Sequence, residues 1–157
     1  MTQQKAPSFS IEKIYVKDLS LEVPNAPGIF LEQEAPEINI HLQTDSTKVG
    51  DDIYEATLTV TVSAKIGEKN VYLIEVGQSG IFRISNILED NLKPLLLIAC
   101  PNILFPYARQ TVSESVTRAG FAPLILQPVN FESIYTSQLQ KTETETESVT
   151  ETEPVEA

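Results

Sequence analysis

An unbroken alternation between residues 54 and 64 limits the folds open to this chain more than any other feature. Tyr54, Ala56, Leu58, Val60, Val62 and Ala64 occupy one phase, and Glu55, Thr57, Thr59, Thr61 and Ser63 the other. Side chains of a strand point alternately to its two faces, so this segment predicts a sheet with one apolar and one polar face. The threonines keep strand propensity while leaving the second face polar.

Residues 9–23 alternate in two tracts, Phe9/Ile11 and Leu19/Leu21/Val23, with an irregularity at Ile14-Tyr15-Val16. That pattern predicts a long strand with a bulge or bend near Lys17-Asp18, ended by Pro24-Asn25-Ala26-Pro27-Gly28. Ile38, Ile40 and Leu42 predict a short strand, with Asn39 and His41 on its opposite phase and the polar run 45–52 as a connection. Residues 66–70 read as a hairpin connection into a strand at 71–76, and after Gly77-Gln78-Ser79 a further extended piece covers 80–84. Such short connections make the sheet largely antiparallel.

Past Asn86 the spacing becomes helical. Leu104, Ala108, Val112 and Ser115 share one stripe with Phe105, Val116 and Ala119, and Arg118 and Gly120 suit a helix C-terminus. Asn130 suits the N-cap of a second helix carrying Phe131, Ile134, Tyr135 and Leu139 on one side. Strands followed by helices give an α+β domain. Between the helices, FAPLILQPV at 121–129 is apolar but broken by prolines, so it is either a buried crossover or a loop forming one wall of a peptide groove. From Lys141 a Thr/Glu repeat without aromatics cannot offset its ordering entropy by burial. The expected organisation is therefore a flexible N-terminus at 1–8, a folded body at 9–140 and a disordered acidic tail at 141–157.

A chain of 157 residues fits one domain, and its net charge of -11 comes with scattered basic residues. That balance disfavours nucleic acid and anionic membranes and favours basic partners, or serves solubility alone. One cysteine and an N-terminus without an apolar signal core point to the cytoplasm. The apolar run 94–101 is far short of the ~20 residues that span a bilayer. Catalytic inventory is thin. His41, the sole histidine, lies on the polar phase of its strand, and Cys100, between Ala99 and Pro101, reads as a small packed hydrophobe. Asp51-Asp52 and Glu89-Asp90 read as loop and helix-start acids. No G-x-x-x-x-G-K-[ST], G-x-G-x-x-G or C-x-x-C occurs. These observations predict a non-enzymatic protein without cofactor or metal.

IYVKDLS at 14–20, PNAP at 24–27, EVGQSGIF at 75–82, CPNILFPYAR at 100–109 and PVNF at 128–131 follow one another in the order seen in a known family. Over residues 9–139 the chain resembles the SecB family of protein-export chaperones. The resemblance implies a four-stranded antiparallel sheet with helices packed on one side, assembled as a homotetramer from two dimers. It also implies ATP-independent holding of unfolded precursor proteins and their delivery to the SecA translocation ATPase, with no nucleic acid and no direct membrane insertion.

Residue by residue, the resemblance places Asp18, Glu22 and Glu75 at acidic positions that contact SecA, with Leu73 their apolar neighbour. It places Ile74, Val76 and Gln78 on the strand associated with tetramer assembly. Candidates for the client groove are Tyr107, Phe121, Leu124, Leu126, Phe131, Tyr135 and Leu139. Read without the resemblance, the acids are ordinary strand polarity and the apolar residues ordinary packing. The family's tail can add a contact to SecA, and the Thr/Glu repeat departs from that pattern. A different function compatible with the residues is an adaptor that binds one folded partner through an acidic sheet face.

Overall fold

The computed structural model describes residues 3 and 5–150, with side chains through 144. The chain divides into two compact units, Met1–Gln127 and Pro128–Ala157. In the first, strands β1 (Ser8–Glu22), β2 (Glu37–Gly50), β3 (Ile53–Ile66) and β4 (Lys69–Ser85) form one antiparallel sheet in the order β1-β4-β3-β2. Tight turns at Asp51-Asp52 and Gly67-Glu68 join β2, β3 and β4, with Asp52 at φ 58 and Gly67 at φ 60. β1 and β2 are the two edges, so residues 23–36 must cross an end of the sheet. This crossover carries a cis Ala26–Pro27 bond and a 3-10 turn, Gly28–Leu31.

Two strands are longer than their sequence patterns predict. β2 continues to Gly50 through the polar run expected to be a connection, pairing Asp45 with Thr57 and Thr47 with Glu55. Its far half is an edge exposed on both faces, so no apolar phase marks it. β4 runs through Gly77-Gln78-Ser79 rather than breaking there. All three residues are buried in the centre of the sheet, Gln78 reaching Thr111 of the helix that follows and Gly77 lying close against Asp18 of β1. In β1 the register slips twice, between Ile11 and Lys13 and between Val16 and Asp18. The second slip is the expected bulge. The first explains the irregular tract at 14–16, because each inserted residue flips the phase.

Helix α1 (Glu89–Pro94) passes through a π turn (Leu95–Ala99) into α2 (Cys100–Arg118). The wide turn lies between Pro94 and Pro101, each of which withholds an N–H from the helical ladder. Cys100, Leu104, Ala108, Val112 and Val116 recur every four residues and are all 0% exposed. They face Leu58, Val60, Val62, Ile74, Val76 and Phe82 of β3 and β4, which are equally buried. Each large side chain in this layer contributes about 1.5–3 kcal/mol of transfer free energy. Gly120, at φ +95, closes α2 as expected.

The second unit begins at Pro128 and holds α3 (Phe131–Thr150). Asn130 caps it, its side-chain carbonyl accepting the Ser133 N–H at 3.0 Å. The helix is described as far as Thr150, past the expected domain boundary at 140. The hydroxyls of Thr136, Thr142 and Thr144 each bond to the carbonyl four residues back, meeting their own polar demand within the helix. Residues 151–157 of the tail lie outside the described residues.

Candidate functional site

The alternation of β3 sends Glu55, Thr57, Thr59, Thr61 and Ser63 to the face away from α2. Register then fixes their neighbours on β4, with Ile81 beside Glu55, Ser79 beside Thr57, Gly77 beside Thr59, Glu75 beside Thr61 and Leu73 beside Ser63. On β1, Asp18 lies opposite Gly77, Ser20 opposite Glu75 and Glu22 opposite Leu73. Asp18, Glu22, Leu73 and Glu75 therefore share one open sheet face. The three acids are exposed and Leu73 is half-buried.

Two acids and a lysine were missed in the sequence. Asp45 from β2 and Glu55 from β3 join Asp18 and Glu75 around a shallow depression of about 260 Å³, with Lys17 on its rim. Lys17 Nζ donates to Glu55 Oε1 at 2.6 Å, and the Tyr15 hydroxyl donates to the other carboxylate oxygen. The lysine bond, then the tyrosine bond, holds the Glu55 carboxyl below the usual range. Burial and then the Glu55 contact push the Tyr15 hydroxyl up to about 12, so it stays a proton donor. Lys17 is thus committed to Glu55. Among the described residues Asp18, Glu22 and Glu75 have no ion-pair partner. Nothing in the local sequence of Glu55 signals this arrangement, since it depends on a residue 38 positions away.

The opposite face is apolar. Ile74, Val76 and Gln78 lie within it at 2%, 0% and 3% exposure, covered inside the protomer itself. Gln78 Nε2 donates to the Tyr15 carbonyl at 3.2 Å, and its Oε1 accepts from the Thr111 hydroxyl at 3.3 Å. These three residues are core, not free surface. Beside them on the same face, β1 presents Phe9, Ile11, Val16, Leu19 and Leu21, whose register partners are Ile84, Phe82, Gln78, Val76 and Ile74. The β1 side chains are 36–50% exposed.

A third feature follows α2. Phe121 stacks on Phe30 of the crossover with ring centroids 5.1 Å apart, and tilts against Tyr72 at 5.1 Å. Phe30 and Leu31 are 48% and 84% exposed, so the crossover adds apolar surface that alternation could not reveal. Leu124 is half-buried, whereas Leu126 is 3% exposed and anchors the segment. Tyr107, 47% exposed, is on α2 about three turns before the helix ends at Arg118. In the second unit, Phe131, Tyr135 and Leu139 recur every four residues along one side of α3.

His41 is exposed and Cys100 is buried, its thiol pushed up to about 12 by desolvation. Among the described residues no group of three or more His, Cys, Asp or Glu could hold a metal ion, and no helix is long and apolar enough to cross a membrane.

Residues 2–142 match the family described as preprotein translocase subunit SecB. The chain belongs to the SecB family. The protein-export protein SecB of Dechloromonas aromatica is 62% identical over 141 residues, covering 90% of this chain and 93% of the relative. SecB of Aromatoleum aromaticum is 59% identical over 137 residues, covering 87% and 86%. A solved structure, a SecB-like chaperone of Mycobacterium tuberculosis in complex with a peptide from the HigA1 antitoxin, has a TM-score of 0.63 at 14% identity. That likeness covers 78% of this chain and 91% of the other, and it concerns the fold. Family membership makes this SecB protein an export chaperone for unfolded precursors and not a catalyst.

Proposed function

We propose that this SecB-family chaperone works in the cytoplasm as a homotetramer, a dimer of dimers, which holds unfolded precursors and hands them to SecA through the open face of its sheet. One observation carries the reading. Asp18, Glu22, Leu73 and Glu75 meet on one face across two strands, without cationic partners among the described residues, while the exposed apolar stripe of β1 lies on the other face. Separate surfaces let a client stay bound while the motor docks. Opposite charge then speeds encounter and selects partners more than it deepens affinity.

Self-association is supported by β1, an edge strand with an exposed apolar stripe, a surface that a lone soluble chain seldom leaves bare. Client holding is supported by Phe30, Phe121, Tyr107 and Ile125, which offer apolar contact without a shaped specificity pocket. Extended clients add backbone hydrogen bonds, which depend little on sequence.

Replacing Asp18 with Asn and Glu75 with Gln removes two charges at nearly constant size. Titration with purified SecA should show roughly twofold to thirtyfold weaker binding at low salt, the range for two exposed pairs, and a shallower salt dependence. Unchanged affinity and salt dependence, with the tetramer intact, would reject the docking face.

A further inference from the structure

Residues 121–127 connect α2 to the second unit as a segment that belongs to neither helix nor sheet. Its first residue is fixed, the Phe121 N–H bonding to the Val116 carbonyl at 3.2 Å and the ring packing on Phe30 and Tyr72. Among the described residues nothing hydrogen-bonds to residues 122–125, and Ile125 is 58% exposed. The far end is held by one polar tie. Arg109 Nε donates to the Leu126 carbonyl at 2.9 Å, and Leu126 itself is buried.

The guanidinium making this tie is held in place. Its carbon lies 4.7 Å from the centroid of the Phe105 ring, one turn earlier on α2, and Phe105 is 6% exposed. A planar cation fixed on an aromatic face aims its N–H in one direction, which a lysine ammonium on a flexible stem does not do. Without the tie, the Leu126 carbonyl loses a charge-assisted bond and the far end of the segment is held only by the burial of the Leu126 side chain.

We propose that Arg109 is a positioning residue for client binding. It latches the 121–127 segment so that its free peptide groups and apolar side chains receive an unfolded chain. The inference rests on the client-holding function proposed above and adds to it the residue that sets the receiving segment.

The test uses the full chain with Arg109→Met, which keeps an apolar stem over Phe105 but no donor, and Arg109→Lys, which keeps the charge. Three quantities are compared with the parent: chymotrypsin cleavage within 121–127, dissociation of reduced, carboxymethylated lactalbumin, and SecA affinity. Arg109→Met should raise cleavage and client dissociation on the order of tenfold, the scale of one charge-assisted bond. Arg109→Lys should fall between it and the parent, and SecA affinity and the thermal transition should be retained. Faster cleavage with unchanged client dissociation, or unchanged cleavage, would overturn the latch. So would loss of the thermal transition in Arg109→Met, which would make Arg109 a fold-stability residue. A parent protein that does not retain the lactalbumin probe would remove the client function beneath the inference, and that result is visible before any variant is made.

Discussion

Introducing Asp at Val76 and at Leu19 should have opposite consequences, although the two residues are register partners on the same sheet face. Val76 is 0% exposed beneath α2, and Leu19 is 50% exposed at the sheet edge. At Val76 the substitution forfeits about 1.5–3 kcal/mol of side-chain burial. It also leaves an unpaired polar group in the core, adding about 1–3 kcal/mol if the carboxyl protonates and several if it stays charged. A total of about 3–6 kcal/mol is a large share of the 5–15 kcal/mol expected for a domain, and lowers Tm by roughly 6–24 °C. At Leu19 only half of a side chain's burial is at stake, about 1 kcal/mol, and the new carboxylate reaches water. The protomer should therefore stay folded while the apolar stripe of β1 is broken.

The assay is circular dichroism melting and sedimentation equilibrium for both variants at one protein concentration, because dissociation of an oligomer itself shifts Tm. Val76→Asp should lose most of its folded population or melt far lower, and Leu19→Asp should retain folded secondary structure while sedimenting as a smaller species. A Val76→Asp protein that melts like the parent and merely dissociates would refute the core placement. Unchanged sedimentation of Leu19→Asp would refute the assembly role of β1.

A Cβ at Gly80 would meet the Phe82 ring at 2.7 Å and Leu104 at 3.2 Å, so Gly80→Ala should strain the α2–sheet contact. A loss of about 1–3 kcal/mol is expected, read from a urea melt; an unchanged midpoint would mean the layers are looser than described. Cys100 should resist iodoacetamide in the folded protein at about pH 8 and react only on unfolding, because burial pushes its thiol up to about 12. Rapid labelling of native protein would contradict that burial. The Glu55 carboxyl is held below its ordinary value of 4.5, so its contribution is present above that value and is lost as pH falls through the lower, folded-state value. The Tm gap between the parent and Glu55→Gln should accordingly narrow as the pH falls below 4.5 and through the lower folded-state value, and a gap independent of pH would show that Lys17 and Tyr15 do not stabilise the carboxylate.

Much of the fold is legible where period and burial coincide. β3 announces itself because one of its phases is wholly covered, and α2 because its covered residues recur every four positions. The far half of β2 carries no such signal, being polar on both faces of an edge, and the middle of β4 looks like a loop because its glycines serve close packing. For the functional surfaces, the family resemblance implied an acidic face that residue type alone read as ordinary strand polarity, and only the register brings Asp18 of β1 and Glu75 of β4 to a common depression with Asp45 and Glu55. The same register puts Ile74, Val76 and Gln78 on the α2 side of the sheet, buried within the protomer. Phe30 and Tyr72 were invisible as partners of Phe121 because the three rings come from a crossover, a strand and a post-helical segment.

The most direct measurement is a comparison of one polypeptide in two states, titrating the full-length chaperone with native, disulfide-bonded lactalbumin and with its reduced, carboxymethylated form. Binding should be saturable for the unfolded form, unaffected by ATP, and absent for the native one. Equal affinity for the two forms, or preference for the folded one, would contradict the holding of unfolded chains and restore an adaptor for a folded partner.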